Sequence, residues 1–140
     1  MIQRRKLILA VVLLILGGLT YAWFKQGAAA IKSLPCEDIL HGCSNADVRV
    51  QAIASPKVMR AFEMRIESAD AESIHASFDM HDMQMGLNRY RFQQQPDGSW
   101  RAMVTLPVCV SGRSDWLMTI DIKREAQPLK QYQLEFIAQP

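Results

Sequence analysis

From residue 48 onward the chain alternates apolar and polar residues seven times. A side-chain period of two suits a strand with one buried face and does not suit a helix. The apolar members of the runs are Val48, Val50, Ala52 and Ala54, then Phe62, Met64 and Ile66, then Ile74, Ala76, Phe78 and Met80. Tyr90 and Phe92 form a fourth run, and Trp100, Ala102, Val104 and Leu106 a fifth. Trp116, Met118, Ile120 and Ile122 form the sixth, and Tyr132, Leu134, Phe136 and Ala138 the seventh. Turn formers fall between them: Ser55-Pro56, Asp70, Gly86, Pro96-Asp97-Gly98, Gly112 and Pro128. Asp97-Gly98 between two alternating runs is a strong hairpin signal. Seven short strands, each with one apolar face, predict an all-β domain over residues 47–140, an Ig-like antiparallel β-sandwich of about seven strands.

Residues 7–24 read LILAVVLLILGGLTYAWF, an uncharged run of 18. At about 1.5 Å per residue such a helix is roughly 27 Å long, close to a hydrocarbon core of about 30 Å. Arg4, Arg5 and Lys6 precede it, and Tyr21 and Trp23 stand at its outer end. The positive-inside rule and the interfacial preference of aromatic rings then predict one transmembrane helix that leaves Met1 in the cytoplasm. A cleaved signal peptide with Ala28-Ala29-Ala30 as its processing site is the rival, though the apolar run is longer than an ordinary signal core. A lipoprotein is disfavoured, because Pro35 precedes Cys36 where a small residue is needed. Residues 1–24 are thus expected to be a basic stub and anchor in the lipid bilayer, and residues 25–46 a linker carrying a cysteine loop. The basic start and long apolar run fit a bacterial inner membrane, with residues 47–140 periplasmic.

The net charge of +2 follows from this layout. Beyond residue 24 there are 13 Lys+Arg against 14 Asp+Glu, a balance of −1. The positive surplus is a targeting feature, and nucleic acid is excluded as a partner.

Export places Cys36, Cys43 and Cys109 in an oxidising space, where three cysteines make one disulfide and leave one thiol. Cys36 and Cys43 stand seven positions apart and can close a local loop; the competing pair is Cys43 with Cys109. In an antiparallel sandwich the residues before the first strand start at the end opposite the loop after the third, which favours the local pair. His41 lies inside that loop, but its spacing from the cysteines matches no zinc pattern.

The most unusual segment is Phe78-Asp79-Met80-His81-Asp82-Met83-Gln84-Met85-Gly86. Three methionines fall within six residues around a histidine. Thioether sulfur is a soft donor suited to Cu(I), and imidazole suits either copper oxidation state. Met80, His81, Met83 and Met85 are therefore candidate metal ligands. By strand parity the loop after the fifth run lies at the same end, which adds Cys109 to the set. The competing reading is packing: Met80 continues the inward parity of its strand, and Met83 or Met85 can plug the end of the sandwich. His75 faces outward by parity, and Arg113 is expected to pair with Asp115 or Asp79. There is no nucleophile elbow and no glycine-rich phosphate loop, so no catalytic residues are assigned and the chain is expected not to be an enzyme.

This methionine segment, followed by Asn88-Arg89-Tyr90 and by Gly98-Ser99-Trp100-Arg101-Ala102, resembles the FixH/YtkA-like family of membrane-anchored or exported sandwich domains. The resemblance covers roughly residues 47–125, with Met80, Met83 and Met85 at the positions of the family's Met-rich loop. It implies an Ig-like fold and a link to copper supply or cytochrome oxidase assembly. His81-Asp82 stands where the family often has a proline. The expected function is binding or transfer of Cu(I) by the periplasmic domain, with an inner-membrane complex such as a cytochrome oxidase as partner. The alternative is a metal-free envelope scaffolding module that contacts a membrane complex through adaptable methionines.

Overall fold

The computed structural model describes residues 12–18, 30–81, 83, 86, 88–108 and 112–140. Ten strands follow in chain order. They are β1 (Ile31–Ser33), β2 (Cys43–Ser44), β3 (Arg49–Ala52), β4 (Ala61–Glu67), β5 (Ala71–Asp79), β6 (Arg89–Arg91), β7 (Gln93–Gln94), β8 (Trp100–Thr105), β9 (Asp115–Arg124) and β10 (Lys130–Ile137). Two five-stranded sheets result, in the orders β1-β10-β9-β5-β6 and β2-β3-β4-β8-β7. Every strand pair is antiparallel except β1 with β10. The fold is all-β and sandwich-like: the apolar faces of both sheets belong to one buried cluster.

The seven alternating runs are the strands β3, β4, β5, β6 with β7, β8, β9 and β10. Their inward residues are buried, apart from Ala54, which is exposed, and Tyr90 and Ala102, which are half-buried. The first run stops at Ala52 because the chain bends into the Ser55-Pro56 turn, so Ala54 and Ile53 face solvent. The Asp97-Gly98 signal forms the hairpin from β7 to β8. There Gly98 takes φ +80° and its N–H donates to Gln95 O at 2.9 Å. Glycine adopts that left-handed conformation without the Cβ clash other residues meet.

The stretch read as a linker is different over its described part. Ile31–Ser33 pairs parallel with β10, and Cys43–Ser44 pairs with β3. Between them the chain crosses from the edge of one sheet to the edge of the other, burying Leu34, Ile39 and Cys43. No alternation announces this, because β1 is exposed along its whole length and β2 has two residues. Ala52 N–H donates to Ile39 O at 2.9 Å, which fixes the crossing segment to the second sheet.

Ile31 lies beside Gln131 at the start of β10, so the chain enters the fold at the end where β10 begins. The opposite end is where β5, β8 and β10 finish. Parallel bridges join Lys57 to Gln139 and Val58 to Leu106 there, fastening the two sheets together. Of the expected anchor, residues 7–24, only residues 12–18 are described; they are helical and exposed. Among the described residues no helix is long and apolar enough to cross a membrane. Arg4, Arg5, Lys6, Tyr21, Trp23 and residues 25–29 lie outside the described residues.

Candidate functional site

Phe78 sits on β5 with its ring at 5.8 Å and 75° from Tyr90 and at 6.2 Å and 87° from Phe136. These edge-to-face contacts suit the aromatic quadrupole. They also set the position of the residues that follow. Two residues later, Met80 continues the inward parity and is 3% exposed. Its N–H donates to Met83 O at 3.3 Å, and Met83 N–H returns to Met80 O at 3.2 Å. A pair that exchanges both backbone bonds holds its side chains on the same face of the ribbon. The two thioethers are therefore cross-strand neighbours, Met80 in the core and Met83 39% exposed.

His81 is turned across the molecule to β10. Its Nε2 and Glu135 Oε1 are 2.8 Å apart. With the carboxylate accepting, Nε2 carries the hydrogen and Nδ1 of the neutral ring carries the lone pair. Among the described residues Nδ1 has no hydrogen-bond partner. Asp115, at the start of β9, lies close enough for His81 to act on it electrostatically.

Asp115 takes a two-point bond from Arg113, with Nε to Oδ1 at 3.0 Å and Nη2 to Oδ2 at 2.6 Å. Of the two partners expected for Arg113, Asp115 is the one in this bidentate pair. The bonds from Arg113 hold the Asp115 carboxyl at about 2, below its ordinary 3.8. A depressed folded-state value adds stability above the unfolded value, and that contribution disappears as pH falls through the folded one. The unfolding midpoints of wild type and Arg113→Gln should therefore differ by a constant amount above about pH 4 and converge as pH falls toward about 2. A gap that persists unchanged in acid would contradict this.

Of the five expected metal ligands, Met80, His81 and Met83 are described and come together at one turn, with Met80 in the core. Met85 and Cys109 lie outside the described residues. The segments flanking Cys109 do reach this end: Thr105 O accepts from the Tyr90 hydroxyl at 2.8 Å, and Asp115 pairs with Ile137. Among the described residues no three His, Cys, Asp or Glu side chains converge as a metal site.

Cys36 and Cys43 form a disulfide with Cα atoms 4.9 Å apart. Cys43 therefore does not pair with Cys109. The loop it closes is braced by Asp38, whose carboxylate accepts from Leu40 N–H at 2.8 Å and meets His41 Nδ1 at 2.7 Å. Strand parity puts this loop at the end opposite the methionines, and the structure does not. Cys36 shares a surface groove with Asp115 and Glu135. The cause is β1, which runs parallel to β10 and carries the chain forward along its length.

Sequence reasoning missed Glu135, which alternation marks only as outward, and Arg124, which is 7% exposed on an inward position of β9. Arg124 donates from Nε to Ala69 O at 2.9 Å and from Nη2 to Ser68 Oγ at 2.8 Å, bracing the far end. The aliphatic stem of arginine makes such burial tolerable.

Fold and site together define a small all-β module with a disulfide-closed flank and a methionine-bearing end. No family model, curated protein or solved structure matches the chain.

Proposed function

We propose that this is a single-pass, N-in protein of a bacterial inner membrane whose periplasmic Ig-like sandwich binds Cu(I) and hands it on, without catalysis, to a membrane complex such as a cytochrome oxidase. The observation that carries the reading is the turn itself. Met83 offers an exposed thioether, and His81 offers Nδ1 while Glu135 occupies Nε2. A carboxylate on the remote ring nitrogen is the usual support of a metal-binding histidine, because it fixes the tautomer and raises the basicity of the ligand. Soft sulfur and imidazole favour Cu(I) over harder cations. Met85 and Cys109 complete the proposed donor set. Met80 serves as the buried half of the turn. The likeness to the FixH/YtkA-like loop supports the same assignment.

The test is competition of the detergent-solubilised chain against a Cu(I) chelator under ascorbate. The expected result is a Kd below about 1 μM, weakened about tenfold or more by Met83→Ala or His81→Ala, about 1.4 kcal/mol each. Affinity unchanged in both variants would rule out this site.

A second reading is favoured by the surface of the same end. Met59, Met83, Val108 and Ile137 are all large, apolar and exposed there. Clustered exposed apolar residues mark interaction sites. On this reading the module is a metal-free assembly factor, and its partner is retained when chelator is present and when Met83 and His81 are replaced.

A further inference from the structure

Beside the methionine turn lies a groove of about 360 Å³ between the disulfide loop and the ends of β9 and β10. That volume is at the small end of pockets that enclose ligands, roughly 300–1,000 Å³, and suits one or two side chains more than a whole element. Its floor is apolar, formed by the buried Ile39, Pro56 and Phe136. Ile137, on its bank, is 61% exposed, so apolar surface remains in water. Four carboxylates border it: Glu37 and Asp38 from the disulfide loop, Asp115 from β9 and Glu135 from β10. Among the described residues no lysine or arginine lines it.

The rim keeps negative charge. Among the described residues Asp38 meets His41, Glu135 meets His81 and Asp115 pairs with Arg113. Glu37 makes no ion pair among the described residues. The His41 bond holds Asp38 below its ordinary range, so that carboxylate is charged at neutral pH. An apolar floor under an anionic rim is complementary to an apolar side chain flanked by ammonium or guanidinium groups.

We propose that this groove docks a partner protein through an exposed segment in which lysine or arginine alternates with large apolar residues. The partner would then lie beside His81 and Met83 without covering them. The inference does not depend on copper, since the groove and its charge are present without it.

The experiment uses the full chain in detergent micelles with chelator present. The probes are fluorescein-labelled Leu-Arg-Leu-Lys-Leu amide and its acidic counterpart, Leu-Glu-Leu-Glu-Leu amide, read by anisotropy. The basic peptide should bind, and binding should be largely lost in about 1 M salt, where the screening length is about 3 Å. Glu37→Lys should weaken it about tenfold by adding like charge to the rim. Ile137→Asn should weaken it without changing the salt dependence, since it removes apolar surface and adds no charge. Both replacements are on exposed positions, and the Glu37→Lys chain in the same micelles separates groove binding from micelle binding. Equal binding of the two peptides, affinity indifferent to Glu37→Lys, or a dimer that Glu37→Lys dissolves would each overturn the proposal. Loss of copper affinity alone would leave it standing.

Discussion

Phe78→Ala is expected to lower the unfolding free energy by about 3–5 kcal/mol, the range for deleting a buried aromatic ring from a packed core. The ring is fully buried and meets Tyr90 and Phe136 edge to face. Its strand is hydrogen-bonded on both sides, to β6 and to β9, so the backbone cannot close over the void. Small domains have roughly 5–15 kcal/mol in total, so one side chain commands a large share. Urea unfolding followed by tryptophan fluorescence reads it directly, because Trp100 and Trp116 are both buried. Met103→Ala is the control, on the outward face of β8 at 57% exposure. It should stay within about 0.5 kcal/mol. Similar losses in the two variants would mean that the inner faces are not packed as described.

Removing the disulfide by Cys36→Ala with Cys43→Ala should cost about 2.5 kcal/mol, from the chain entropy restored to an eight-residue loop on unfolding. The effect should also be local. Ala52 N–H bonds to Ile39 O, and Gly42 N–H bonds to Asp38 O, so both should exchange with solvent faster once the loop is released. Amides in β9 and β5 should keep their ranking in the exchange profile. A loss below about 0.5 kcal/mol would show that burial of Leu34 and Ile39 holds the loop without help. The docking groove should loosen with it, since Glu37 and Asp38 are carried between the two cysteines.

How far the molecule was legible beforehand follows from these residues. Phe78, Trp116 and Tyr132 were marked as inward by period two, and a pleated strand leaves no other arrangement once one face is buried. Glu135 was marked as outward, but its bond to His81 joins residues 54 positions apart, and no local pattern encodes that. Met80 and Met83 were visible as a cluster. That one is core and the other surface depends on where β5 ends, which a β-bridge decided. The Cys36–Cys43 pair was one of the open pairings, while the position of its loop was misplaced by strand parity. Parity holds only where neighbouring strands are antiparallel, and β1 is parallel to β10.

The sequence by itself determined an all-β chain with most of its inward residues, its main turns and an anionic balance beyond residue 24. Each of these follows from local rules: side-chain alternation, glycine and proline conformations, and a charge count. Only the tertiary structure decided that an exposed three-residue strand joins β10, that the disulfide loop spans both sheets, and that His81 leans on Glu135. Those depend on contacts between segments far apart in the chain, whose free energy exists only once the two sheets have packed.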